Sequence, residues 1–418
     1  MARLGRALRH RNYRLFFLGQ GTSLVGTWLT RFATLWMTYR LTHSGILLGL
    51  VGFFSQAPTS LIAPLAGVLV DRWDRHRTII ATQIAAMVQS AALALFAFTG
   101  WMTVWHLMAL GAVQAVINAF DMPARQSFLR QMLDDPSDLP NAIALNSSLV
   151  NGARLIGPVI AAELVAFFGE GWCFAIDAAS YLAVIGSLLA MNVARRAPPP
   201  RTGRVWQEMA EGWRYVAGAP LVRAVLLLLA CSSVLGGSYT TLLPLVAKDP
   251  HVLGILMGAA GLGALTGALY LAHRQRVLGL AGIIARVALG LGAAMIAMRA
   301  TTLPWALAPI VYVLGGCLMV QLASTNTIVQ SIVDHDKLGR VMSLYAIAFF
   351  GGAPIGAIVL GSLADAIGPG DTFAAAGAVT IACALAFRRA LPRLRDASRP
   401  RYRELGLLDD QGASSIVK

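Results

Sequence analysis

Three ionisable side chains lie where the sequence offers them little water. Arg31, Glu163 and Asp177 each fall inside or near the end of a long apolar run. A charge placed in lipid costs roughly 2.5–3.5 kcal/mol on insertion scales, so each one needs a reason. At a rise of about 1.5 Å per residue, all three sit roughly 7–10 Å below the same face of those runs. One cation and two acids at one depth form a cluster in which a single carboxyl titrates, since desolvation and a like-charged neighbour both favour the protonated form. That is proton-exchange chemistry. A structural alternative stays open: Arg31 snorkels beside Trp28 and Trp36, and each acid caps a helix end near water.

A second pattern suits the binding of a small polar solute. Gln20, Ser23, Thr27, Arg31 and Thr34 recur at spacings of three and four, which puts all five on one helical face. Gln114, Asn118 and Asp121 repeat the pattern in another apolar run, and Gln321 and Thr325 in a third, with Tyr239, Thr240 and Thr241 as further polar groups. Hydrogen bonding between helices accounts for such stripes almost as well. A lining of amides, hydroxyls, a cation and aromatics fits a moderately polar or anionic organic molecule. Other chemistry is missing. There is no G-x-x-x-x-G-K-[ST] phosphate loop to use ATP, no Ser-His-Asp arrangement and no zinc-like spacing among the seven histidines. The four cysteines lie far apart inside apolar runs and read as packed thiols. An enzyme, a cofactor and a metal site are not expected.

The elements that position these residues are membrane helices. Of 418 residues, 57% are hydrophobic and 13% charged, against about 25% charged in soluble domains. With about 20 apolar residues needed per span, the chain reads as twelve: 14–38, 44–70, 78–99, 103–123, 141–168, 171–193, 220–246, 251–272, 279–299, 303–325, 340–364 and 371–390. The first is too long for a signal-peptide core and is read as retained. Of the 34 lysines and arginines, all but Arg31, Arg40, Arg154, Arg223, Lys248, Arg286 and Arg299 fall on one side. That bias places both termini in the cytoplasm. It also accounts for the net charge of +14 by topology, without a nucleic-acid partner.

The densest charge is Gly67-Val-Leu-Val-Asp71-Arg72-Trp-Asp74-Arg75-His76-Arg77, set between two runs that carry no charge. The longest hydrophilic stretch, 194–219, divides the spans six and six and contains a surface helix around Trp206–Tyr215. The halves resemble each other: Gln131–Leu145 aligns with Gln330–Leu344 at an offset of 199, and Gly67 with Gly267. Duplicated six-helix halves mark a secondary transporter.

Over residues 10–392 the chain resembles the major facilitator superfamily. The turn at 67–77 is similar to the family signature G-x-x-x-D-R-x-G-R-R-K, carried by Gly67, Asp71, Arg72, Arg75 and Arg77, with Asp74 and His76 as departures. In the family this turn steadies the outward-facing state by docking its acid near the start of helix eleven. The resemblance gives that role to Asp71, against the groups around Arg340. The second half keeps Gly267 but has Leu271 in place of the acid, which implies a weaker latch there. Gly152-Ala-Arg154-Leu-Ile-Gly157-Pro158 with Ala161 and Ala162 resembles the exporter signature G-x-x-x-G-P-x-x-G-G in part, and Gly351-Gly352-Ala-Pro354-Ile-Gly356 repeats the idea. A Gly-Pro pair bends a helix and lets another come close, with or without export.

Asn118-Ala-Phe-Asp121-Met-Pro123-Ala-Arg125, Asn151-Gly-Ala-Arg154 and the opening Arg9–Gln20 are similar to the branch of small-molecule secretion proteins that includes the enterobactin exporter. The arginine that drug exporters carry early in span four is missing, which weakens the link to the multidrug subfamilies. The resemblance implies an all-α membrane protein of two pseudo-symmetric six-helix bundles. The divisions are a basic arm at 1–13, bundles at 14–193 and 220–390, a cytoplasmic linker at 194–219 and a tail at 391–418. It implies a monomer in the inner membrane that exports a small organic molecule by alternating access, with protons as coupling ion and helices one, four, seven and ten lining the path. Import or movement of a lysophospholipid or other lipid is the alternative. A receptor or scaffold that has lost transport is a weaker one.

Overall fold

The computed structural model describes residues 5–192, 205–274, 278–334 and 336–404; the side chains of Pro64, Val68, Asp71 and residues 205–209 fall outside that description. No strand occurs among the described residues. In chain order the helices are α1 (Arg11–Thr42), α2 (Gly45–Phe54), α3 (Ala57–Arg72), α4 (Arg75–Thr99), α5 (Val104–Phe128), α6 (Leu139–Phe168), α7 (Glu170–Leu189) and α8 (Val205–Gly218). They continue as α9 (Pro220–Gly236), α10 (Tyr239–Ala247), α11 (Pro250–Ala272), α12 (Leu280–Ala297), α13 (Pro304–Ile332), α14 (Leu338–Ala346), α15 (Gly352–Ile367) and α16 (Pro369–Glu404).

Eleven helical stretches among the described residues are long and apolar enough to cross a membrane. The twelfth rod is α1, whose 32 residues span about 48 Å. It is less apolar because it carries the Gln20–Thr34 polar stripe and four arginines. Two spans that look continuous in sequence are each made of two helices. The second breaks at Ser55 and Gln56, just before Pro58 opens α3, where a missing N–H does no harm. The seventh breaks at Gly237 between α9 and α10. Helix ends follow local chemistry. Asp74 caps α4 by accepting from the Arg77 N–H at 3.1 Å, and Gly100 ends α4 at φ 73°, a conformation that suits glycine. Gly169 alone joins α6 to α7 at φ 86°.

The repeat offset survives in the structure. Helices α6 and α14 start at Leu139 and Leu338, the pair that the 199-residue offset aligns. The last helix departs from expectation. Hydropathy ends its span at residue 390, yet α16 runs on to Glu404 through Pro392 and Pro400. Leu391 and Tyr402 are buried in the same apolar cluster as α9 and α12, and that packing holds the extension. Of the linker, residues 193–204 lie outside the description and α8 follows.

The chain divides into two compact units. One comprises Met1–Thr202, Thr240–Gly261 and Ala357–Ala366; the other comprises Gly203–Tyr239, Leu262–Gly356 and Ile367–Lys418. Helix α10 from Thr240, the first half of α11 and the end of α15 thus fall in the first unit. In the second unit, residues Ile347–Gly351 form a π-turn ahead of Pro354. A π-turn and a proline both free backbone carbonyls, and the Ser233 hydroxyl takes up that of Phe349 at 2.5 Å; beyond the turn Ser238 donates to the Ala353 carbonyl at 2.7 Å. Gly352 and Gly356 let α9 come that close.

Candidate coupling and cargo site

The three intramembrane charges do not meet. Asp177 on α7 is 1% exposed and points between α1 and α4. Its Oδ2 accepts from the Thr30 hydroxyl at 2.8 Å and from the Ser90 hydroxyl at 2.8 Å. Its Oδ1 is buried with no hydrogen-bond partner among the described residues. A methyl added at Gly26 would lie 2.6 Å from that oxygen, so glycine lets α1 lie directly over the carboxylate. Neither oxygen of Asp177 is bonded to a cation.

Glu163 turns elsewhere and meets His251 Nδ1 of α11 at 3.1 Å, with both side chains about half exposed. Arg31 lies over the Trp28 ring, 5.2 Å from its centre, a cation–π contact. Its guanidinium is near enough to Arg154 of α6 for the two charges to repel, and neither makes an ion pair among the described residues. Helices α1 and α6 meet at the exporter-like Gly157. Gly157 abuts the Trp28 side chain, and on its other side Pro158 and Ala162 face Gly254 of α11, with Gly258 and Gly261 following along the same contact. Gly152 has open space around it.

The polar stripe of α1 changes character along its length. Gln20 and Ser23 are buried, while Thr27 and Arg31 are exposed. On α5, Gln114 donates to Asn118 at 3.1 Å. Asp121 faces the other way. It is 5% exposed, accepts from Thr82 and Gln83 of α4 at 2.9 Å each, and is paired with Arg125 one turn on. In the second unit Gln321 of α13 donates to Ser232 at 2.9 Å and to the Leu228 carbonyl at 3.3 Å, while the Thr325 hydroxyl is buried without a partner. The first two stripes are therefore part internal bonding and part open polar surface, and the third is buried.

Within the charge knot, Arg72 and Arg77 are exposed and Trp73 stacks on Phe120 at 5.8 Å. His76 bonds the Leu188 carbonyl at 2.8 Å. Asp71 lies in the last turn of α3, and its side chain lies outside the description. Arg340 is paired with Glu211 of α8, and Asp334 with Arg401 of α16.

At the opposite end of these helices from the knot, a carboxylate closes α2. Asp365 of α15 accepts from the Ser44 hydroxyl at 2.7 Å and from the Gly45 and Ile46 N–H groups at 2.5 and 3.0 Å. Gly45 and Gly49 lie against Gly361 and Ala357 of the same helix. The residues that charge-spotting missed are thus Thr30, Ser90, His251 and Asp365. Only Ser90 left a trace, as part of a Thr82–Gln83–Gln89–Ser90 polar face in a run without charges.

The chain, helical throughout its described residues and with eleven stretches long and apolar enough to cross a membrane, is a major facilitator transporter, a class of carriers and not of enzymes. The chain belongs to the family described as "Transmembrane secretion effector", whose model matches residues 6–407. It is 22% identical over 386 residues to the staphyloferrin A transporter of Staphylococcus aureus, covering 90% of this chain and 95% of that protein. It is 25% identical over 375 residues to the enterobactin exporter of Shigella boydii, covering 88% and 89%. The crystal structure of the nucleoside transporter NupG matches the fold with a TM-score of 0.70 at 15% identity, covering 92% of this chain and 99% of that one. The protein is therefore a multi-pass protein of the bacterial inner membrane that moves a small molecule.

Proposed function

We propose that this protein exports a small anionic organic molecule in exchange for protons, as a monomer, with both termini in the cytoplasm. One observation carries the reading. In the first unit the acid and the cations are kept apart, Asp177 with no cation and Arg31 and Arg154 with no acid. Uncompensated charges at membrane depth are costly, and they persist where a mobile ion supplies the missing partner. A proton supplies it for Asp177. An anionic cargo supplies it for the two arginines, with Thr27 and Asn118 as hydroxyl and amide donors nearby on exposed faces.

Alternating access needs a gate at each face. With the termini inside, the Asp365 cap on α2 and the Glu163–His251 contact belong to the outer gate, and the Asp71 knot to the inner one. The Gly157-Pro158 bend is the pivot between them, since small residues on α6 and α11 allow sliding contact. Transport by relatives described for siderophores supports an anionic chelate as cargo.

The test is uptake into everted membrane vesicles of anionic siderophore-type chelates against a neutral compound of similar size. The anion should accumulate and the neutral compound should not. Arg31→Gln combined with Arg154→Gln should cut accumulation about tenfold or more, as losing a desolvated charge partner costs at least 1.4 kcal/mol or so. Unchanged accumulation of the anion would remove the cargo reading, and movement in the opposite direction would make the protein an importer.

A further inference from the structure

A cavity of about 470 Å³ opens between α11, α12 and α13, within the second unit. It exists because glycines bring α11 and α13 together: a methyl on Gly267 would lie 2.8 Å from the Gly316 carbonyl. Beside that contact the surface falls back into a groove walled by Ile283, Val287 and Val320. Its apolar rim is open to the outside of the helices, where Leu269 and Val313 are exposed. At its polar end stand three groups. Arg286 is exposed and makes no hydrogen bond or ion pair among the described residues. Tyr270 is exposed beside it. Deeper in, the Thr266 hydroxyl and the Tyr312 hydroxyl bond each other at 2.8 Å.

The depths agree with one another. Arg286 lies about 9 Å along α12 from its start and Thr266 about 9 Å from the end of α11, while Tyr270 is only about 3 Å from that end. Both ends lie on the face that carries the chain termini under the topology proposed above. A long cationic side chain at that depth reaches toward the headgroup layer, and an unpaired cation there attracts an anion. Apolar walls, a lateral opening and a cation at the interface are together complementary to a lipid, and not to a water-borne ion. Basic pockets between membrane helices recognise anionic headgroups in this way.

We propose that this groove is a binding site for an anionic phospholipid of the cytoplasmic leaflet. Its phosphate is held by Arg286 and the Tyr270 hydroxyl, and one acyl chain lies along Ile283, Val287 and Val320. The leaflet assignment rests on the topology proposed above, but the site does not depend on the cargo or the proton coupling, so the failure of either reading leaves the other standing.

The experiment is native mass spectrometry of the full-length protein extracted from vesicles of phosphatidylcholine containing phosphatidylglycerol. Wild type should retain phosphatidylglycerol about fivefold more than phosphatidylcholine, the scale of one basic side chain at a charged surface. Arg286→Gln should abolish that preference and Arg286→Lys should keep most of it. Val287→Phe, which fills the groove and leaves the charge, should lower retention of phosphatidylglycerol as well. Equal retention of the two lipids by wild type would overturn the proposal. So would an unchanged preference in both Arg286→Gln and Val287→Phe, or displacement of the lipid by millimolar inorganic phosphate.

Discussion

Asp121 and Asp177 are both buried carboxylates on helices of the first unit, and the structure holds them in opposite ways. Asp121 has a guanidinium one turn away and two side-chain donors from α4. Asp177 has two hydroxyls, which serve a carboxylate or a carboxylic acid alike, and one oxygen with no partner. The first is compensated by a cation and the second is not. Arg31 and Arg154 on one side, and Arg125 on the other, show the same contrast among the cations: Arg125 is paired within its own helix, and the other two make no ion pair among the described residues.

The largest effect should come from breaking the compensated pair. Asp121→Asn leaves Arg125 without its anion and should destabilise the protein by about 3 kcal/mol, the lower end for a broken buried pair because Arg125 keeps partial access to water. A clear fall in apparent Tm in detergent checks this. Asp177→Asn should leave apparent Tm nearly unchanged, because an amide accepts from Thr30 and Ser90 as the acid does. If the two variants lose equal stability, the contrast is wrong.

A smaller effect should follow at the proposed outer gate. Asp365 accepts three hydrogen bonds at the start of α2, and Asp365→Asn should weaken that cap by about 1 kcal/mol. The readout is labelling of a cysteine placed at residue 46, which should speed up as the cap opens more often. Unchanged labelling would separate Asp365 from gating.

The smallest effect lies at the basic arm. His10 meets Asp134 at 2.9 Å and Asp138 at 3.1 Å, and Asp138 also takes Arg6. The hydrogen bond that His10 donates to the Asp134 carboxylate raises its pKa above the usual 6.5; burial opposes this and Asp138 adds to it. A value raised on folding gives stability that is fully present below 6.5 and is lost as pH rises through the folded value. Wild type should therefore lose its small advantage in apparent Tm over His10→Gln between about pH 6 and 8. A constant gap across that range would contradict the assignment.

The membrane rods are legible in the sequence, since charge-free runs as long as 44–70 and 78–99 are the mark of segments surrounded by lipid. Asp74 as a cap and the Gly157-Pro158 contact are legible too, because both follow from local chemistry. Partner choice is not. Arg31, Glu163 and Asp177 share a depth, but depth says nothing of azimuth, and each points to a different neighbour. Glu163 meets a histidine 88 residues away, and Asp365 meets a helix start more than 300 residues away. The extension of α16 is hidden because two prolines read as a stop, and only the burial of Leu391 and Tyr402 reveals what carries the helix past them.

The central claim is that Asp177 carries the exchanged proton. Purified wild type and Asp177→Asn should be reconstituted in vesicles loaded with a pH indicator, and efflux of the anionic cargo started by a proton gradient. Wild type should move protons and cargo together, while Asp177→Asn should lose gradient-driven transport yet still exchange labelled for unlabelled cargo at equilibrium. If Asp177→Asn still couples cargo movement to the gradient, the account is wrong.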